Sequence, residues 1–206
     1  MRMIVYSVFV FMLFFLSLPL QCAMVIALAM TEGFPVFFAQ SRVGKNGRHF
    51  ILYKFRTMYP GSEERQKKLV LQNEASGPVF KIHDDPRYTG IGRFLAHTGL
   101  DELPQLWNVV RGDMALIGPR PLPVSEAKEL IAWQQKRHDI KPGIISPWII
   151  EGYHRQTFDA WMKSDIAYTA QKTMAYDLQL AYRTLLLLGH LFLREVLKKR
   201  NTTKIL

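Results

Sequence analysis

Thr98-Gly99-Leu100-Asp101-Glu102-Leu103-Pro104-Gln105-Leu106 sets two adjacent carboxylates just ahead of a proline in an otherwise apolar stretch. Pro104 has no N–H, and its ring clashes with a preceding helical turn, so it belongs in the first turn of a helix. That predicts a helix over 102–110 with Asp101 near its N-cap. At such an end the backbone N–H groups lack partners and the macrodipole is positive, which keeps a carboxylate ionised and draws in a phosphate. Taken by itself, Asp101 reads most plainly as a helix cap. The neighbouring segments shift that balance.

Downstream, Leu116-Ile117-Gly118-Pro119-Arg120-Pro121-Leu122 holds an arginine between two prolines. The backbone there is stiff, and the planar guanidinium suits bidentate contact with phosphate oxygens. Upstream, apolar-rich runs at 36–43 and 49–55 flank Gly44-Lys45-Asn46-Gly47, and Asn-Gly in that setting predicts a β-hairpin. Lys54 and Arg56 are two apart on its second strand, hence on one face. Residues 61–77 predict an exposed helix and a loop, 79–82 a short strand-like piece, and 83–87 a turn. Gly90 and Gly92 could cradle a phosphate, but their spacing is a weak signal that packing explains as well. The pattern over 123–138 is helical, and Trp148, Tyr153, Trp161 and Tyr168 suit core packing or an interface.

Met3 to Thr31 contains no charged residue, a run of 29 positions that exceeds the roughly 20 needed to cross a bilayer. A cleaved signal peptide fits poorly, because the apolar stretch overshoots an h-region and continues well past Cys22. Pro19 interrupts the run. Two topologies follow: a kinked helix that spans, which the pattern slightly favours, or a helix broken at Pro19 that re-enters one leaflet. Arg2 is the only charge before Glu32, whereas Arg42, Lys45, Arg48, Lys54 and Arg56 crowd the exit, so the remainder is expected in the cytoplasm. The helical stretch at 174–200 is amphipathic to apolar with a basic end, and suits the membrane interface. Arg183 and Arg194 leave only ten uncharged residues between them, too few for a second span.

The 206 residues carry a net charge of +10, which points to an anionic partner: nucleic acid, a phospholipid surface or a phosphorylated substrate. One cysteine excludes an internal disulfide. The six histidines have no zinc spacing, so a carboxylate-bound hard cation is the metal to expect. A short helix at 92–97, a turn at Gly99 and a helix at 102–110 has the outline of a helix-turn-helix. A DNA-reading helix begins with polar and basic side chains, and this one begins with two acids that phosphates repel. A membrane-tethered DNA-binding protein is kept only as an alternative, with nucleic acid not an expected partner.

Tyr53-Lys54-Phe55-Arg56-Thr57-Met58, Leu100 to Leu106, Gly112-Asp113-Met114 and Gly118-Pro119-Arg120-Pro121-Leu122 occur here in unbroken order. Together they resemble the bacterial sugar transferases, the monotopic polyprenol-phosphate phosphoglycosyl transferases, from about Phe34 through Gly143 and more loosely to both ends. The resemblance implies an enzyme of the bacterial cytoplasmic membrane that moves a sugar 1-phosphate from a UDP-sugar to undecaprenyl phosphate with Mg²⁺, starting glycan assembly. Asp101 matches a nucleophile that forms a covalent phosphosugar intermediate. Glu102 matches the acid associated with magnesium, and the pair is the expected metal site. Lys54, Arg56, Arg93, Arg120 and Arg137 are the cations expected to bind substrate. Asp165 and Asp177 match, in spacing, two further acids of the site.

The expected fold is α+β, mainly helical with a small β-hairpin and amphipathic interfacial helices. A membrane-embedded helix over 1–32 precedes a cytoplasmic, membrane-associated catalytic domain over 33–206. By resemblance the N-terminal helix is broken at Pro19 and re-entrant, although the family's Ser-Pro pair is here Leu18-Pro19. Gly99 replaces a usual serine, and residues 144–155 depart from the family pattern where the donor pocket is expected. Inner-leaflet phospholipids are expected contacts, and a homodimer is left open. The contrasting reading is a non-catalytic membrane-tethered scaffold that keeps the fold.

Overall fold

The computed structural model describes residues 2–150 and 157–203. Among them, one helix is long and apolar enough to cross a membrane. This is α1 (Arg2–Glu32), and it runs without interruption through Pro19, so the expected break is not there. Proline removes one hydrogen bond and leaves the carbonyl four residues earlier without its donor. Next to that gap, Ser17 Oγ donates to the Phe14 carbonyl at 2.7 Å and accepts from Gln21 Nε2 at 2.8 Å.

A narrow stripe of α1 is buried, comprising Val10, Gln21, Met24 and Leu28 at helical spacing, while Leu16 on the other face is 75% exposed. Both ends are fastened to the globular part. The Tyr6 hydroxyl accepts the Leu116 backbone N–H at 3.0 Å. At the other end, Arg56 Nη2 donates to the carbonyls of Glu32 (2.5 Å) and Gly33 (3.0 Å). The helix therefore lies along the domain rather than projecting from it.

The hairpin is as the sequence indicates. Strands β1 (Phe37–Val43) and β2 (His49–Phe55) pair antiparallel from Phe37↔Phe55 to Val43↔His49. Their turn uses Asn46 at φ 55° and Gly47 at φ 75°, the left-handed region that these residue types tolerate best. Leu52 and Phe55 point inward, and each such burial contributes roughly 1.5–3 kcal/mol. Helix α2 (Ser62–Lys68) is an exposed turn or two, as expected. Residues 79–82 form no strand; instead Lys81 pairs locally, its N–H to Asn73 Oδ1 and its carbonyl to the Glu74 N–H.

Helix α3 (Gly90–Thr98) starts at a Thr89 cap and stops at Gly99, φ 73°. Gly92 serves packing, since a Cβ there would stand 2.1 Å from the Thr57 carbonyl oxygen. After a 3-10 turn, α4 (Gln105–Val110) packs on β2. Asn108, fully buried, donates from Nδ2 to the Ile51 carbonyl and accepts the Tyr53 N–H, completing the strand's free edge.

A parallel pair that periodicity did not reveal follows, β3 (Ala115–Ile117) beside β4 (Gly143–Ile145). Between them, the single helix expected over 123–138 is split into α5 (Val124–Ala127) and a 3-10 segment, Gln134–Asp139. Gln134 explains the split: its Oε1 takes the Ile131 N–H and its Nε2 reaches Asp159, giving the backbone a local alternative to a helical ladder. Helices α6 (Pro147–Ile150) and α7 (Phe158–Gln171) then meet through Trp148 and Trp161, stacked at 5.0 Å. Helix α8 (Met174–Thr203) buries Leu180 and Thr184 and leaves Met174, Leu178, Tyr182 and Leu185 exposed. The fold is thus mainly helical with one antiparallel hairpin.

Candidate active site

Gly99 lets the chain reverse at the end of α3 and enter a 3-10 turn over Leu100–Glu102. Helix α4 begins only at Gln105, with Pro104 as its cap residue, so Asp101 lies ahead of the helix and does not cap it. The turn holds itself: the Glu102 N–H meets the Gly99 carbonyl and the Leu103 N–H meets that of Leu100. It also aims the two acids differently.

Glu102 Oε1 receives two cations, Lys54 Nζ at 2.6 Å and Arg120 Nη2 at 2.7 Å. Asp101 Oδ2 is 3.7 Å from the same lysine and makes no closer ion pair among the described residues. The consequence is electrostatic division. Burial pushes the Asp101 carboxyl up to about 6, opposed by Lys54 and reinforced by Glu102. Burial acts on Glu102 as well, but Arg120 and Lys54 override it and hold that carboxyl far below the usual carboxylate range. The nearby helix end does not hold the Asp101 pKa down as expected, because desolvation outweighs a six-residue helix that starts only at Gln105.

Four more titratable groups interact electrostatically with the acid pair or with Arg120, and sequence reasoning missed them. Lys81 is lowered to about 7 by burial and by Arg120. Glu126 is raised to about 7 by burial against the pull of Arg42. Arg42 is lowered to about 10 by burial and Arg120, and its Nη1 donates to the Pro121 carbonyl at 2.9 Å. Tyr88 is raised to about 12 by burial and by Asp101. Lys81 alone left a trace in the sequence, as a lone cation among Val79, Phe80 and Ile82.

Five expected site residues lie elsewhere. Arg56 falls just past the end of β2, about 7 Å beyond Lys54, where the terminal carbonyls of α1 lack intrahelical donors and recruit it. Arg93 pairs with Asp84 at 2.5 Å on the surface. Arg137 and Asp165 form a salt bridge at 2.5 Å with side chains 1% and 0% exposed. Asp177 accepts the Tyr168 hydroxyl at 2.6 Å near β3. The residues brought together are therefore Lys54, Asp101, Glu102 and Arg120. Among the described residues no cluster of three or more acids, histidines or cysteines is positioned to hold a metal. Asp101 and Glu102 supply hard oxygen donors beside these cations. Glu151 to Arg155, part of the stretch expected to shape the donor pocket, lie outside the described residues.

The chain is similar to several curated proteins. It is 43% identical over 155 residues to the galactosyl transferase CpsE of Streptococcus agalactiae, covering 75% of this chain and 34% of that one. It is 35% identical over 161 residues to the undecaprenyl-phosphate galactose phosphotransferase of Salmonella typhimurium, covering 74% and 33%. The exopolysaccharide production protein ExoY of Sinorhizobium fredii is 30% identical over 159 residues, covering 75% and 70%. The chain thus spans about a third of the length of the first two relatives. The sequence profile described as bacterial sugar transferase matches residues 1–190, a span that takes in α1, the hairpin, the acid pair and Arg120. That match covers most of the chain, including the acid pair that Lys54 and Arg120 brace, and the chain belongs to the bacterial sugar transferase family.

Proposed function

We propose that the chain is a phosphoglycosyl transferase that moves a sugar 1-phosphate from a UDP-sugar to undecaprenyl phosphate, the first membrane step in building a glycan. One observation carries this reading: adjacent carboxylates, one buried with a raised pKa and one locked to Lys54 and Arg120. The two have unlike jobs. Asp101 attacks the phosphorus that bears the sugar, the bond to UMP breaks, and a phosphosugar remains on the carboxylate oxygen. An oxygen of undecaprenyl phosphate then attacks the same phosphorus, the bond to Asp101 breaks, and the sugar leaves on a lipid diphosphate. Relatives named for such phosphotransfers support this reaction class, and the sugars in their names differ: galactose, N-acetylgalactosamine and glucose. The transferred sugar therefore stays open.

An anionic nucleophile must approach an anionic diphosphate, and Lys54 and Arg120 lower that repulsion. Lys81, which senses both Arg120 and Glu102, adds a third basic group to this neighbourhood. Two adjacent carboxylates also fit Mg²⁺, which commonly binds through one or two carboxylates plus substrate phosphates. Asp101 and Glu102 would hold it, and it would neutralise charge on the departing UMP.

The membrane arrangement follows from α1. A helix fastened to one domain at Tyr6 and again at Glu32 has both ends on the same side, which supports a monotopic anchor that lies in one leaflet without crossing it, with the catalytic domain in the cytoplasm. Its exposed apolar face, Trp107 and the outer face of α8 then meet inner-leaflet lipid. The test is to incubate purified protein with a panel of UDP-sugars and Mg²⁺, following UMP release and a phosphosugar mass adduct on Asp101. UMP release by Asp101→Asn at the parent rate overturns the nucleophile, and no release with any donor favours a non-catalytic scaffold.

A further inference from the structure

Arg120 reaches Glu102 from a segment that is unusually short of donors, because Pro119 and Pro121 have no N–H. Such a segment is held mainly by what binds its carbonyls. The Gly143 N–H takes the Pro119 carbonyl at 2.9 Å, Arg42 takes that of Pro121 at 2.9 Å, and the Val43 N–H takes that of Leu122 at 3.0 Å. The Arg120 carbonyl itself is held by Arg137 Nη2 at 2.6 Å.

Arg137 is fixed in turn. Its Nε and Nη2 donate to Asp165 Oδ2 at 3.0 and 2.5 Å, so the two hydrogens of Nη2 serve Asp165 and Arg120. Its guanidinium lies 5.7 Å from the Trp161 ring centre. Both side chains are shut away from solvent and face one another, so neither offers a free polar edge at the surface. A buried ion pair adds little net stability compared with apolar packing, so its worth is sought in what it orients. A residue before a proline is already confined to extended backbone, and fixing its carbonyl removes the remaining play in ψ. The direction of the Arg120 side chain follows.

We propose that Arg137 and Asp165 are positioning residues for phosphosugar transfer: they hold the Arg120 carbonyl so that its guanidinium stands at Glu102 and the incoming diphosphate. This rests on the transferase reading above and gives the two residues a role within it that involves no substrate contact.

The test is a double-mutant cycle on the first turnover of UMP release, with Asp165→Asn, Arg120→Ala and the double variant. Asp165→Asn is expected to slow release on the order of 100-fold, as misplacement by about 1 Å can do. In the Arg120→Ala background the same change should cost less than about threefold, since coupled residues are not additive. A full repeat of the cost in that background overturns the proposal. Because opening a buried pair can unfold a protein, Arg137→Lys supplies a second arm, read by amide hydrogen exchange without substrate. It keeps a charge for Asp165 but cannot hold two partners with a planar fork. Faster exchange confined to Gly118, Gly143 and Val43, whose N–H groups bond in or onto this segment, supports the proposal; unchanged exchange there, or faster exchange throughout the chain, overturns it. Should the parent release no UMP from any donor, the transferase reading fails, while the exchange arm still reports whether the pair holds the Arg120 segment.

Discussion

The Tyr6 hydroxyl accepts the backbone N–H of Leu116 at 3.0 Å, joining the second turn of α1 to a strand 110 residues later. A helix that crossed a bilayer would carry Tyr6 to the far side, some 30 Å from the strand it touches. Met3→Cys in a Cys22→Ser background should therefore resist a membrane-impermeant thiol reagent in intact cells and react once the cells are permeabilised. Reaction in intact cells would mean a spanning helix.

Lys54 is the nearest cation to both acids. Lys54→Met leaves Glu102 to Arg120 alone and removes the one charge that favours the ionised form of Asp101 at close range. UMP release should fall on the order of 100-fold or more, the cost typical of removing one preorganised charge partner. Lys54→Arg should recover part of it in initial-rate assays.

The pH profile of kcat/KM should be a narrow bell. Below about 6 Asp101 is protonated and a poor nucleophile, so the rate should rise about tenfold per pH unit up to that point. Above about 7 Lys81 loses its charge, which weakens donor binding and sets the alkaline limb. Lys81→Arg should move that limb upward by more than a unit, and a limb that stays in place would assign it to another group.

Stability should follow the opposite sign at Asp101. Its folded pKa lies above its ordinary 3.8, so the stability it contributes is complete below that value and is lost as pH rises through about 6. Asp101→Asn should accordingly melt higher than the parent at pH 8 and differ little from it at pH 4, measured by thermal unfolding in detergent.

Arg56 offers a contrast with Lys54. Its bonds go to the last carbonyls of α1, so Arg56→Met should loosen that helix end at a cost of roughly 0.3–2 kcal/mol. UMP release per folded molecule should stay near the parent value. A loss comparable to that of Lys54→Met would return Arg56 to the substrate site.

The contrast also marks where the sequence is legible. Lys54 and Arg56 are equivalent by strand periodicity, and only the position of the end of α1 separates them. Asn46-Gly47 announced the hairpin because a positive φ is a local demand, written in two adjacent residues. Pro104 marked a helix start for the same reason, although the helix begins three residues later than expected and leaves Asp101 in a tighter turn. Long-range partnerships are not local. Nothing near Asp165 in the chain indicates that Arg137 will neutralise it, and the three-residue strands β3 and β4 are too short to carry a period. Pro19 misled because a proline costs a helix one hydrogen bond without obliging it to end, and α1 continues through it.

Fastening α1 at both ends has a consequence for how the acceptor is found. Anchor and catalytic centre move as one body, so on the proposed function Asp101 keeps a constant height relative to the lipid headgroups. A prenyl phosphate then arrives by gliding sideways within its own leaflet, a search in two dimensions rather than three. Its tail can remain in the hydrocarbon throughout, so prenyl units far from the phosphate should matter little to the rate.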